Sequence, residues 1–124
     1  MSIDINILAV VLATLSSMFV GMVWYTPGVF GKSWMKLTKV DPNKSPDNPA
    51  KIYGLTLVAG FLTAYVLAHI TGVVNQVFTD KSFLKAAIDV GFWLWLGLTA
   101  SRMLVHDLFE GRKHKLTAIN AGHE

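Results

Sequence analysis

Three apolar segments, each about as long as a membrane-spanning helix, most constrain how this chain can fold. The first covers about residues 5–25 and the second about 52–74, and neither holds a charged side chain. The third covers about 83–108, with its charges toward the two ends. About 20 apolar residues in a helix cross the hydrocarbon core of a bilayer. The pattern therefore predicts an all-α, polytopic integral membrane protein with three transmembrane helices.

The composition supports this class and excludes others. Of the 124 residues, 52% are hydrophobic and 15% charged, whereas a soluble domain has about 25% charged residues. There is no cysteine, which excludes thiolate metal sites, cysteine nucleophiles and a disulfide scaffold. No Lys or Arg precedes the first segment, and no small-residue cleavage site follows it. We therefore predict a retained first helix and one transmembrane domain over residues 1–124.

The positions of the lysines and arginines predict the orientation. Five lysines lie between the first two segments, three positive residues follow the third, and only Lys81 and Lys85 lie between the second and third. Short cytoplasmic loops carry an excess of positive charge. We predict the plasma (inner) membrane, with the N-terminus outside and the first loop and the residues after 109 in the cytoplasm. The basic pI of 9.3 then reflects topology, so no nucleic-acid partner is predicted.

The first loop has an amphipathic pattern. Phe30, Trp34 and Leu37 share one helical face, and the lysines at positions 32, 36 and 39 share the other. This pattern indicates a short interfacial helix over about 28–40, with lysines toward anionic lipid; an irregular loop is the alternative. The predicted membrane-interface anchors are Trp24, Tyr25, Phe30, Lys32, Trp34 and Lys36.

Small residues recur at every fourth position of the first two segments. They are Ala9, Ala13, Ser17 and Gly21, and then Thr56, Gly60, Ala64, Ala68 and Gly72. Membrane helices associate through close backbone approach at such residues, although small residues are also simply common in membrane helices. The predicted packing residues are Ala13, Ser17, Gly21, Gly60, Ala64 and Ala68. The pattern does not distinguish packing within a chain from packing between chains.

Several ionisable residues lie within the apolar segments, and four of them form the predicted intramembrane polar set: His69, Asp89, Arg102 and His106. Such residues suggest functional sites. The chain reverses between His69 and Asp89, so the two lie at similar depth. A bond between them would be structural, proton-linked or half of a metal site. No metalloprotease, P-loop or nucleophile-elbow motif occurs, so we predict no catalytic residues, no metal site and no cofactor.

Two short motifs resemble those of a known family. One is Trp24-Tyr25-Thr26-Pro27-Gly28-Val29-Phe30-Gly31-Lys32-Ser33-Trp34-Met35, and the other is Phe109-Glu110-Gly111-Arg112 followed by Ile119-Asn120-Ala121-Gly122. The chain resembles the small bacterial membrane proteins catalogued as domain of unknown function 1761. The resemblance implies four membrane helices in the bacterial plasma membrane and no assigned activity. The fourth helix would follow the Asn-Ala-Gly motif. This sequence ends at Glu124, which is expected either of a natural three-helix variant or of a truncated chain.

Three functional hypotheses follow. The first is a non-enzymatic membrane protein that acts by helix–helix assembly, as a homo-oligomer or an accessory subunit of a larger membrane complex, with membrane lipid and other subunits as partners. The alternative is a small transporter or channel with a polar path involving His69 and Asp89. A third, a membrane enzyme, predicts bound metal at His69 or His106.

Overall fold

The computed structural model describes residues 3–124, and every regular element in that range is helical. The elements in chain order are α1 (Ile7–Trp24), α2 (Gly31–Thr38), α3 (Pro49–Val77), α4 (Phe83–Leu94), a π-helical segment (Trp95–Ala100), α5 (Ser101–Phe109) and α6 (His114–His123). The elements from α4 to α5 are continuous and form the third span, Phe83–Phe109. Together with α1 and α3, it is long and apolar enough to cross a membrane. The all-α fold with three such helices and a short extra helix is confirmed.

Local capping explains where the long helices begin. The side chains of Asn6, Asn48 and Ser82 each accept a hydrogen bond from the backbone N–H three residues later. These short polar side chains satisfy N–H groups that have no partner inside the first turn of a helix. Pro49 follows the second of these caps, where its fixed φ suits the first helical turn and its missing N–H costs nothing.

Helix α3 is the central span and packs against both α1 and α4. Its contacts with α1 run antiparallel, because Ile3 lies against Gly72 while Thr14 lies near Gly60. A Cβ atom built on Gly60 would lie 3.5 Å from the Thr14 Cγ2 and 3.6 Å from the Ser17 Oγ. The side chains of Thr14 and Ser17 therefore pack over Gly60, and this gives the two helices van der Waals contact.

The predicted packing stripe of α1 is only partly correct. Ser17 faces α3 and Gly21 is half-buried, but Ala13 is exposed and the buried positions are Val10 and Thr14. A helix has 3.6 residues per turn, so a four-residue spacing rotates by about 40° at each step. The stripe therefore starts on the outside of the bundle and turns inward toward its end. On α3, the predicted residues Gly60, Ala64 and Ala68 are all half-buried.

Most large apolar side chains on the spans point outward. Leu8 is 67% exposed, Leu62 57% and Leu98 68%. Such a surface is unfavourable in water but matches the hydrocarbon of a bilayer. The most continuous buried set lies instead on α6, where Leu116, Ile119 and Ala121 are all buried.

Replacing Gly60 with leucine should destabilise the α1–α3 contact, because the added atoms would overlap Thr14 and Ser17. We expect a loss of about 1–3 kcal/mol in the free energy of unfolding, as for other overpacked sites. Denaturation in mixed micelles, followed by helical circular dichroism, measures the change. Gly54→Leu on the same helix is the control, since a Cβ at Gly54 meets no atom within 4 Å. Equal losses in the two variants would contradict this packing.

Candidate functional site around helix α6

Helix α6 is reached through a tight reversal after α5. Gly111 has a φ of +66°, a left-handed conformation that glycine adopts without strain. The backbone N–H of Arg112 then donates to the carbonyl oxygen of Asp107 at 2.8 Å. The reversal turns the chain back along α5.

A buried carboxylate fixes α6 after the reversal. The Thr117 hydroxyl donates to Oδ2 of Asp107 at 2.6 Å, and the Arg112 Nε lies 3.8 Å from Oδ1 of the same carboxylate. Asp107 is only 7% exposed. A carboxylate can remain buried when it is hydrogen-bonded and close to a positive charge, so these contacts join α5 and α6 at a defined register.

Two tryptophans donate to backbone carbonyls in the last turn of α6. The Trp24 Nε1 donates to the carbonyl of Ile119 at 2.9 Å, and the Trp95 Nε1 donates to the carbonyl of Ala121 at 2.7 Å. The last carbonyls of a helix lack partners within the helix itself. An indole N–H is a donor only. The Trp95 indole, on the third span, therefore supplies a hydrogen-bond donor for the Ala121 carbonyl oxygen.

Asn120 receives two further donors from the first loop region. Its Oδ1 accepts from the Tyr25 hydroxyl at 3.1 Å and from the Trp34 Nε1 at 3.1 Å. An amide oxygen has two lone pairs and can serve both donors. Burial, with a smaller contribution from the Glu124 carboxylate, raises the pKa of the Tyr25 phenol, so the phenol keeps its donor proton to a higher pH than a free tyrosine does.

The five side chains that make these bonds are Trp24, Tyr25, Trp34, Trp95 and Asn120, here named the α6 cluster. Ring contacts reinforce it: the Tyr25 and Trp34 centroids are 5.4 Å apart in an edge-on arrangement. A Cβ built on Gly122 would lie 3.1 Å from the Trp24 ring, so α6 approaches that ring closely. The cluster joins α1, α2, the third span and α6.

The π-helical segment begins at the residue that reaches α6 from the third span. Trp95 is its first residue, and Ala100 its last. A π-helical turn inserts extra residues into the helical repeat, which changes the direction of the side chains on either side. The register of the third span therefore depends on this segment.

The predicted interface anchors divide into two groups. The lysines at positions 32 and 36 are exposed on α2, as the amphipathic pattern predicts. The polar atoms of Trp24, Tyr25 and Trp34 instead donate to α6, and the Phe30 ring lies against that of Trp24, with centroids 4.6 Å apart. The amphipathic pattern of the loop did not reveal this use because it considers only the short helix itself.

The four predicted intramembrane polar residues do not form one site. The His69 Nδ1 lies 3.0 Å from the carbonyl oxygen of Tyr65 on its own helix, and Asp89 pairs with Lys81 at 3.1 Å. The proposed bond between His69 and Asp89 is therefore not formed, because each side chain has a nearer partner. Arg102 and His106 are exposed on α5, and within the described residues neither has an ion-pair partner.

The arrangement of the cluster suits a structural joint. Each buried side-chain nitrogen or oxygen in residues 3–124 has a hydrogen-bond partner. Over the same range, no three His, Asp or Glu side chains are placed to hold a metal ion. The bonds of the cluster link positions up to 95 residues apart along the chain. They therefore hold helices that are distant in sequence against one another.

The sequence patterns do not indicate the roles of four residues at this site: Asn120, Trp95, Asp107 and Thr117. Asn120 was visible as a polar residue between apolar ones in the second motif. Trp95 gave no separate signal, because a tryptophan in an apolar segment also suits lipid. Asp107 and Thr117 are joined only through the reversal at Gly111, which periodicity does not reveal.

Asn120→Leu should weaken the attachment of α6 while keeping the side chain near its original size. The Tyr25 hydroxyl and the Trp34 indole would lose their acceptor, at a cost of about 1–3 kcal/mol for each unsatisfied donor. Tryptophan fluorescence during denaturation in mixed micelles reports the loss. Ala118→Leu, at an exposed position of the same helix, is the control. Unchanged stability of the Asn120 variant would show that the cluster does not hold α6.

Comparison with known proteins places these features in a family. No curated protein and no solved structure shows significant similarity to the chain. A family model described as "Protein of unknown function (DUF1761)" matches residues 8–124, which is essentially the whole chain. The match includes both motifs on which the resemblance was based, and these motifs supply most of the α6 cluster. The chain therefore belongs to the DUF1761 family.

Proposed function

We propose that this protein is a non-enzymatic component of the bacterial plasma membrane that acts by helix–helix assembly. It forms a homo-oligomer or serves as an accessory subunit of a larger membrane complex. The three apolar helices support the membrane location. The α6 cluster supports a structural role, because its polar groups are used in hydrogen bonds that join helices of the same chain.

The observation that carries the proposal is an open pair of small residues, Gly97 and Ser101, on one side of the third span. A Cβ built on Gly97 would meet no neighbouring atom within 4 Å, and Ser101 is exposed one turn after Gly97. A glycine inside a helix costs about 1 kcal/mol relative to alanine, and no close contact within the described chain offsets that cost. Close approach of another membrane helix would do so.

An exposed charge at the same level of α5 is a second observation in favour of a partner helix. Arg102 follows Ser101 directly and has no ion-pair partner within the described residues. A charged side chain on a membrane helix is costly unless it meets a counter-charge, a water-filled cavity or the headgroup layer. A partner helix with a carboxylate at this level would stabilise the guanidinium and set the register of the contact.

The alternative, transport along a polar path involving His69 and Asp89, has less support. The His69 ring bonds to its own helix and Asp89 to the turn before α4. The two side chains therefore do not combine into one polar surface, and assembly is the function that these observations support best.

Gly97→Leu should break the assembly without unfolding the single chain, since the new side chain extends into open space. We expect the oligomeric or complexed fraction to fall about tenfold or more, because overpacking costs 1–3 kcal/mol. Extraction in mild detergent or native nanodiscs, followed by sizing and mass measurement, gives the fraction. Leu98→Phe adds bulk to an adjacent residue that is already exposed and serves as the control. A wild-type protein that is always a lone monomer would refute the proposal.

The proposed orientation has the N-terminus outside and the first loop in the cytoplasm. The chain has no cysteine, so single cysteines can be introduced without background. We expect a membrane-impermeant maleimide to label Ser82→Cys in intact cells and to label Lys36→Cys only after the membrane is permeabilised. Both positions are exposed, so access differs only by side. The reverse labelling pattern would invert the orientation.

A further inference from the structure

An apolar groove with a charged rim lies between α3 and α4, and it extends from the turn before α4 to Trp93 and Leu94. Buried Ala86 and Val90 form its floor, and Ile70, Val74, Phe78 and Trp93 form its sides. Its volume is about 310 Å³, and it is open to the outside along its length. The groove is narrow and elongated, because its α3 side runs over two helical turns, or about 12 Å.

Two opposite charges lie side by side at the rim. The Lys81 Nζ is 3.1 Å from Oδ2 of Asp89 and 5.8 Å from the centroid of the Phe78 ring. The two side chains are 37% and 45% exposed, so each retains room for a second partner. Lys81 comes from the turn before α4, and Asp89 from α4 itself, so the pair is held by two different segments of the chain.

The depth of this pair matches that of lipid headgroups. Asp89 lies six residues after Phe83, about 9 Å along the helix axis. The 27-residue third span is about 40 Å long, close to the full thickness of a bilayer with its headgroup layers. The carboxylate and the ammonium group are therefore near the boundary between headgroups and hydrocarbon, and the groove continues below them at the depth of acyl chains.

We propose that this groove binds one phospholipid with a phosphoethanolamine headgroup, its acyl chain in the groove and its headgroup on the Lys81–Asp89 pair. The lipid phosphate binds the Lys81 ammonium, and the lipid ammonium donates to the Asp89 carboxylate. A zwitterion complements both charges, whereas an anionic headgroup would place its phosphate beside the Asp89 carboxylate with no ammonium to compensate. A phosphocholine has no N–H group to donate, so it loses the charge-assisted bond to Asp89.

Trp93 provides a direct measurement. Its ring is 67% exposed on the side of the groove, so a brominated acyl chain in the groove quenches its fluorescence. The full chain is placed in nanodiscs of unbrominated phosphatidylcholine that contain brominated phosphatidylethanolamine, phosphatidylcholine or phosphatidylglycerol. The difference between the wild type and Trp93→Phe isolates the signal of this ring from the other tryptophans.

We expect brominated phosphatidylethanolamine to quench Trp93 at about tenfold lower mole fraction than the other two lipids. A tenfold difference in affinity corresponds to about one charge-assisted hydrogen bond. Asp89→Asn and Lys81→Gln should each remove this preference. Asp80→Asn and Lys85→Gln, which alter exposed charges at the same end of the bundle, should retain it. Circular dichroism of each variant confirms that the helices remain folded.

Three results would overturn the proposal. Equal quenching by all three lipids would mean that the groove contacts only the general lipid shell. Stronger quenching by phosphatidylglycerol would mean that Lys81 acts alone. A phosphatidylethanolamine preference that survives Asp89→Asn in a folded protein would place the headgroup away from this ion pair.

Discussion

The hydrogen bonds donated to the last turn of α6 hold together segments that are far apart in the chain. Trp24 and Trp95 donate to backbone carbonyls, and Tyr25 and Trp34 donate to the amide oxygen of Asn120. A donor or acceptor left unsatisfied in a buried site costs about 1–3 kcal/mol. The orientation of α6, and through it the relation of α1 and α2 to the third span, therefore depends on four aromatic donors.

The remaining contacts suit a chain with three helices long and apolar enough to cross a membrane. Lipid gives no hydrophobic drive for helices to associate, so they must gain contact area by close approach or by polar bonds. The α1–α3 contact packs the side chains of Thr14 and Ser17 over Gly60. The α5–α6 contact uses the buried bond between Thr117 and Asp107. The groove between α3 and α4 is less filled, and its rim carries an ion pair at the depth where lipid headgroups lie.

Much of the fold was predictable because length and hydropathy are local properties. The three spans, the amphipathic α2 and the half-buried face of Gly60, Ala64 and Ala68 all follow from spacing along one helix. The candidate site was less predictable. Trp34 was assigned to the headgroup layer because its pattern matched an interfacial helix, yet its indole bonds to Asn120. The partner is 86 residues away, and no periodicity within α2 can identify it.

The sequence by itself determined the class of protein, since uncharged segments of this length are stable as helices in hydrocarbon and costly to expose to water. It also predicted which faces carry lysine and which carry small residues. Only the tertiary structure decided the partners: Asp89 with Lys81 instead of His69, and the aromatic residues of the first motif with the second. The reason is physical. Burial in lipid depends on the composition of one segment, whereas a hydrogen bond depends on the positions of two atoms that folding brings together.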